Sequence, residues 1–126
     1  MPSITMTKWL ISQLQLDMNS LEKGKNELKM NFSFSALFPE NAATETEGHV
    51  RIDFVVKTSN DKKFLTVTFD SFYSFSQEGL PEQNKRALLE EKGFAESYDE
   101  FRKFLSDFTE RAHLQKMLLP EYAQLK

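Results

Sequence analysis

The sequence of 126 residues contains no cysteine, four glycines, four prolines, one tryptophan and two histidines. Without cysteine the chain forms no disulfide and offers no thiol as nucleophile or metal ligand, a composition that suits a reducing compartment. The glycines are scattered and make no phosphate-binding loop. His49 and His113 lack partners at the spacings of a metal site. We therefore expect no cofactor and no metal ion.

Long apolar runs and dense basic patches are also missing. The formal net charge is −3, with basic residues scattered along the chain, which disfavours a nucleic-acid partner. The apolar stretch within Met1–Leu16 is too short for a signal peptide, and no run approaches the roughly 18 apolar residues of a membrane-spanning helix. Adjacent acidic residues such as Glu90 and Glu91 point to different sides of a helix and do not make a catalytic pair. We expect a cytoplasmic protein that is neither an enzyme nor inserted in a membrane.

Phenylalanine is abundant, with twelve in the chain. The length fits a single domain, residues 1–126, because two halves would be too small to bury good cores. Each phenylalanine adds a large apolar area without a polar atom to satisfy. The twelve rings either fill the core of this domain or leave apolar surface exposed, and exposed apolar surface usually marks a binding site.

Four segments alternate apolar and polar residues with the period of two of a β-strand. They are residues 13–18, 28–38, 50–56 and 64–75. Pro39 ends the second segment, because proline cannot continue a strand ladder. Near the end of the fourth, Phe72, Tyr73 and Phe75 break the alternation, which predicts a bulge or burial on both faces.

Two helical patterns follow the strands. Glu82–Lys92 reads as a short helix that begins after Pro81 and ends at Gly93. Ala95–Ala112 repeats apolar residues at steps of three and four, and Ser97 is placed to cap this long helix. Strands followed by helices predict the α+β class: a four-stranded antiparallel sheet followed by a short helix and a long helix packed on the sheet.

The C-terminal half contains two motifs that occur together. Phe101–Thr109 belongs to the predicted long helix and has an arginine near its start, and Leu114–Pro120 is a short leucine-rich segment closed by proline. This pair of motifs resembles the family of the secretion chaperone SecB, whose members have such a helix followed by such a segment. Phe64–Val67 and Phe75–Gly79 also resemble the start and end of the family's fourth strand. The resemblance covers about residues 13–122.

The resemblance implies a subunit that pairs into a dimer or a dimer of dimers and holds non-native polypeptides in apolar grooves. The candidate groove residues lie near the end of the fourth strand and after the long helix: Phe72, Tyr73, Phe75, Met117, Leu118 and Leu119. The alternative is that all six belong to the core or to a subunit interface, since phenylalanine and leucine are mostly buried.

Some positions depart from the family pattern. Asp17 matches one of the acidic positions that export members use to dock to the translocation motor, but Thr68 stands near another. The family's second C-terminal helix would follow Pro120, and the sequence ends at Lys126, which indicates a C-terminally short member. Two functions remain open. One is a chaperone for exposed apolar segments, with a role in protein transport; the other is an adaptor or regulator with one dedicated partner.

Overall fold

The computed structural model describes residues 3–18, 28–38, 47–58, 61–77, 79–112 and 119–125. Four strands form one antiparallel sheet in the order β1-β4-β3-β2, so that β1 and β2 are its edges. The strands are β1 (Ile4–Leu16), β2 (Leu28–Leu37), β3 (Glu47–Thr58) and β4 (Lys63–Phe75). The helices are α1 (Glu82–Leu88) and α2 (Phe94–Arg111), joined by a π-helical turn (Leu89–Gly93), and a short 3₁₀ turn (Tyr122–Leu125) follows. The predicted α+β architecture is confirmed.

The strict alternation of β3 separates the two faces of the sheet. The face that packs against α2, here called the helix face, carries the fully buried side chains of β3: Val50, Ile52, Phe54 and Val56. The opposite face, here called the open face, carries the partly exposed ones: His49, Arg51, Asp53, Val55 and Lys57. Along β3 the side chains of the helix face are therefore buried, and those of the open face are partly exposed.

Aromatic contacts trace the path of α2 across the helix face. The ring pairs, in order along α2, are Phe94 with Phe34 on β2, Phe101 with Phe54 on β3 and Phe69 on β4, and Phe104 with Trp9 on β1. The long helix thus runs obliquely over all four strands of the sheet. Its predicted apolar face is the buried one.

Strand β1 begins nine residues earlier than the sequence predicts, at Ile4 rather than at Gln13. Its register against β4 shifts between Met6 and Lys8 and again between Ile11 and Gln13. Each shift interrupts the period of two, which hides the strand from a search for alternation. Neither the bulge nor the burial on both faces that the sequence predicts near the end of β4 is found. The irregularity there lies in β1, and the partly exposed Phe72 and Ser74 alternate with the buried Tyr73 and Phe75.

The predicted stop at Gly93 and cap at Ser97 are also wrong, because the helix continues through both. A Cβ atom on Gly93 would lie 3.3 Å from a methyl carbon of Val50 and 3.3 Å from one of Leu89. The missing side chain lets the helical turn approach β3 closely. Gly93 has a packing role here rather than a terminating one.

Three buried hydroxyl groups join β4 to α2 at this point. Tyr73 donates to the carbonyl oxygen of Gly93 at 2.9 Å, and its oxygen is 2.7 Å from Oγ of Ser97. Ser97 in turn is 2.5 Å from Oγ of Ser71. Since the proton of Tyr73 is directed to Gly93, Ser97 donates to Tyr73. The hydroxyl of Ser71 then donates to the nearer Ser97 rather than to the carbonyl oxygen of Val50, which lies 3.4 Å away. Burial raises the pKa of Tyr73 to about 12, so this donor keeps its proton at neutral pH.

We expect Tyr73→Phe to lower the free energy of unfolding by about 1–2 kcal/mol, because it leaves Gly93 and Ser97 without their shared partner in a dry site. Urea unfolding followed by circular dichroism measures the change. Ser74→Ala, the neighbouring change on the open face, serves as the control and should stay within about 0.5 kcal/mol of the parent. Equal stability of the Tyr73→Phe protein and the parent would contradict a stabilising role for the network.

Candidate binding surfaces

Three of the six candidate groove residues lie in the core. Tyr73 is completely buried, and Phe75 and Leu119 are 5% and 6% exposed. Leu119 is held there because the hydroxyl of Tyr98 donates to the carbonyl oxygen of Pro120 at 2.7 Å. These three positions match the alternative that the sequence left open, burial within the subunit.

Phe72 is the candidate that the structure places at a surface, while Met117 and Leu118 lie outside the described residues. The ring of Phe72 is partly exposed on the open face, because neighbouring residues of a strand point to opposite faces and Tyr73 points to the helix face. The ring stacks on the imidazole of His49, with centroids 4.6 Å apart and planes 18° apart. Lys8 places its ammonium nitrogen 5.0 Å from the same ring centroid.

A cavity of about 240 Å³ opens beside this ring. We call it the Phe72 pocket; it is lined by Leu37, Phe38, Glu47, Gly48, His49 and Phe72. Leu37, His49 and Phe72 are direct neighbours across β2, β3 and β4. The register of the sheet therefore builds the pocket from three different strands.

Asp70 anchors one wall of this pocket. Its carboxylate is almost completely buried and accepts hydrogen bonds from Nε2 of His49 at 2.5 Å, from Nε of Arg51 at 2.8 Å and from the hydroxyl of Ser12. Burial alone would raise the pKa of Asp70, but the hydrogen bonds from Arg51, Ser12 and His49 outweigh it and lower that pKa below its usual value. The ionised carboxylate holds the imidazole against Phe72.

Ser12, His49 and Asp70 are the residue types of a hydrolase triad, but their order in space is different. In a triad the histidine stands between the serine and the carboxylate and takes the proton of the hydroxyl. Here the hydroxyl of Ser12 donates directly to Asp70, on the oxygen that His49 does not contact. The arrangement positions side chains and does not activate a nucleophile. Within the described ranges, no group of three acidic, histidine or cysteine residues is placed to hold a metal ion.

A second surface lies on the helix face, along the β1 edge. Trp9 and Leu14 are 40% and 44% exposed, although they share this face with the buried Phe69 and Val67 across the strand pair. Trp9 stacks on Phe69 at 5.1 Å. We call this surface the β1–α2 strip; its members are Trp9, Leu14, Phe104 and Phe108. Phe104 is 6.1 Å from Trp9 and 5.9 Å from Phe108 between ring centroids, so that the aromatic part of the strip joins an edge strand to the long helix.

Sequence reasoning missed Trp9 and Leu14 as surface residues. The run Trp9-Leu10-Ile11 is apolar without alternation, because the register shifts against β4 conceal its strand character. The one tryptophan of the chain, close to an alternating segment, is the signal that points to this edge.

The opposite edge of the helix face also exposes apolar side chains. On β2, Leu28 and Met30 are 37% and 42% exposed. Met30 pairs with the buried Val56 of β3, so it points to the helix face. Both edges of the sheet therefore present large apolar groups beside a strand ladder that pairs with no further strand among the described residues.

The predicted docking residue Asp17 is exposed at the end of β1, where its backbone N–H donates to the carbonyl oxygen of Phe64 at 2.9 Å. Thr68 is buried and donates to Oδ1 of Asp53 at 3.0 Å. Docking through Asp17 stays a prediction. In the part of the chain that the structure describes, none of the helices is long and apolar enough to cross a membrane.

The lowered pKa of Asp70 predicts acid-sensitive stability. A carboxylate with a lower pKa in the folded state contributes stability that is complete above its unfolded pKa, about 3.9, and is lost as the pH falls through the folded value. We expect Asp70→Asn to lower the free energy of unfolding by about 1–3 kcal/mol at pH 7, and the difference from the parent to shrink by pH 3. Urea unfolding at both pH values measures this. Asp53→Asn, on the same face, is the control for loss of one carboxylate, and a difference that does not change with pH would contradict the prediction.

Comparison with protein-family models found no match, and comparison with curated proteins found none either. Comparison with solved structures found the SecB-like chaperone Rv1957 of Mycobacterium tuberculosis, in complex with a ChAD peptide from the Rv1956 HigA1 antitoxin. The two chains align with a TM-score of 0.70 over 94% of this chain and 86% of that chain, at 15% sequence identity. The expectation of a SecB-like architecture, drawn from the sequence, is confirmed: the chain has the fold of a SecB-like chaperone.

Proposed function

We propose that this protein binds exposed apolar segments of other polypeptides without catalysis, as a SecB-like chaperone or as an adaptor, and that it assembles into a homo-oligomer. The observation that carries the proposal is the exposure of large apolar side chains along both edge strands: Trp9 and Leu14 on β1, Leu28 and Met30 on β2. The Rv1957 chaperone, which has the same fold, was solved with a peptide from another protein bound. That complex supports a protein partner here.

The β2 edge is the proposed site for the polypeptide. An extended segment that adds beside β2 would gain main-chain hydrogen bonds that do not depend on its sequence, while Leu28 and Met30 supply apolar contact. Since the hydrophobic effect has no direction, such a surface accepts many sequences. Met117, Leu118 and Phe72 remain proposed contacts for a bound polypeptide as well.

The β1 edge is the proposed site of self-assembly. It offers 13 residues of edge strand together with the apolar β1–α2 strip. Two copies related by a two-fold axis would place β1 against β1 and strip against strip, which is a self-complementary contact. This assignment covers the longer apolar edge and leaves β2 free for a partner.

The chaperone and the adaptor differ in the number of their partners. The peptide in the Rv1957 complex comes from an antitoxin, which is compatible with either. A cytoplasmic location is proposed for both, whereas a role in protein transport belongs to the chaperone form of the proposal. The open face offers little support for docking of an export motor through acidic residues. Thr68, which stands near one of the family's acidic positions, is buried there, and the cations Lys8 and Arg51 lie on the same face.

We expect stoichiometric amounts of the protein to slow the aggregation of a denatured model substrate, measured by light scattering. Met30→Glu should weaken this protection, because it places a charge on the apolar β2 edge. Asn31→Glu adds the same charge at the adjacent position on the open face and is the matched control. Unchanged aggregation in the presence of folded parent protein would exclude the chaperone. A pull-down that returns one stoichiometric partner, rather than many unfolded chains, would then support the adaptor.

Self-assembly predicts a solution mass of at least a dimer by multi-angle light scattering. Leu14→Glu should shift the protein to the monomer, because a charge in the β1–α2 strip would be buried at the contact. Gln15→Glu changes the neighbouring exposed residue on the open face and should leave the mass unchanged. A parent protein that is monomeric at micromolar concentration would refute this part of the proposal.

A further inference from the structure

We propose that the Phe72 pocket on the open face is a second binding site, which takes one apolar side chain flanked by carboxylates in a partner polypeptide. This inference rests on the proposed function and adds the chemistry of the partner, at a site on the other face of the sheet from Leu28 and Met30.

The walls of the pocket are preformed. The imidazole of His49 lies between the ring of Phe72 and the buried carboxylate of Asp70, and its side chain is 21% exposed. The stacking on Phe72 and the hydrogen bond to Asp70 both restrict rotation of this imidazole. A ligand side chain therefore meets a fixed aromatic wall and does not bear the entropic cost of ordering it.

The floor of the pocket is equally fixed. A Cβ atom on Gly48 would lie 2.9 Å from the ring of Phe75 and 3.0 Å from a methyl carbon of Leu89. The backbone of β3 is therefore in close contact with the core beneath the pocket. This contact leaves the floor little freedom to collapse into the cavity.

The size of the cavity favours a single side chain. Its volume of about 240 Å³ is below the roughly 300–1,000 Å³ that is typical of pockets for small molecules. Its walls combine aromatic and aliphatic groups, contributed by Phe72, Phe38 and Leu37. These properties fit one leucine or phenylalanine side chain of a peptide better than a whole cofactor.

The charges around the pocket select the neighbours of that side chain. Each aromatic wall carries a cation: Lys8 lies 5.0 Å from the centroid of Phe72, and the guanidinium of Arg86 lies 5.0 Å from that of Phe38. Within the described ranges neither cation has a carboxylate at ion-pair distance, in contrast to Arg51, which is paired with Asp70. One acidic residue, Glu47, lines the pocket.

Glu47 is the charged residue that lines the pocket, whereas Lys8 and Arg86 stand outside this lining, over two of its aromatic rings. Acidic residues of a partner are therefore complementary to the two cations where they flank the apolar residue that enters the pocket. Opposite charges at the rim of a contact mainly raise the association rate and make binding sensitive to salt. The occupant that the pocket fits is therefore an acidic segment with a central phenylalanine or leucine.

The test uses the full chain and three fluorescently labelled ten-residue peptides, with binding measured by anisotropy. The first carries a central phenylalanine flanked by aspartates; the second replaces that phenylalanine by alanine; the third replaces the aspartates by lysines. We expect the first to bind at least tenfold more tightly than the other two and to lose affinity as salt is added.

Variants of the protein separate the apolar from the electrostatic contribution. Phe72→Ala removes an apolar wall and should weaken binding of the first peptide about tenfold. The double variant Lys8→Glu and Arg86→Glu reverses the two charges but leaves the rings of the pocket in place, and it should weaken binding by a similar factor. Lys29→Glu, an exposed cation at the other end of the same sheet, is the matched control and should change the affinity less than twofold.

Equal binding of the aspartate and lysine peptides, or an affinity that the Lys8 and Arg86 changes do not alter, would overturn the inference. A protein that slows aggregation in a Met30-dependent manner but shows no preference for the acidic peptide refutes the Phe72 pocket alone. A protein that neither slows aggregation nor binds any of the peptides refutes the chaperone form of the proposed function together with this site.

Discussion

The close contact between the helical turn and the sheet is the constraint on which the rest of the structure depends. Gly93 lets the turn approach Val50, Gly48 leaves space for Phe75 and Leu89, and the hydroxyl of Tyr73 donates to the turn from below. A contact this close fixes where α2 begins over the sheet. Because α2 continues as one helix from that point to Arg111, its start also determines which residues it covers.

From this start, α2 crosses obliquely from β2 to β1, and it covers the middle of the helix face better than the edges. Leu14 on β1 and Met30 on β2 share rows with the buried Val67 and Val56, yet both are exposed. Their exposure follows from the path of one helix over a four-stranded sheet. The fold therefore produces apolar edges without any special sequence motif, which is why the binding proposal is placed there.

The sequence predicted the parts of the fold that depend on local pattern. The alternation of β2, β3 and β4 and the apolar face of α2 were all readable, and together with the resemblance they gave the correct architecture. The first half of β1 was not readable, because two register shifts break its period. The predicted helix end at Gly93 and helix cap at Ser97 are wrong because the roles of these residues depend on contacts with β3 and β4, which no local pattern contains.

At the candidate site too, a local pattern predicts less than the pairing of strands does, and one pair of residues shows this. Phe72 and Tyr73 are adjacent and both aromatic, and the sequence treated them alike. Once β4 pairs with β3 in an unbroken register at this point, they must point to opposite faces. Tyr73 then enters the core and bonds to the helical turn, while Phe72 stacks on His49 at the open face. Aromatic residues at the end of one strand thus supply both the core and a surface. The pairing of that strand, and not its composition, determines which ring is buried and which is exposed.

The same register brings His49 beside Phe72 and Arg51 beside Asp70, so the pocket and its anchor are consequences of one strand alignment.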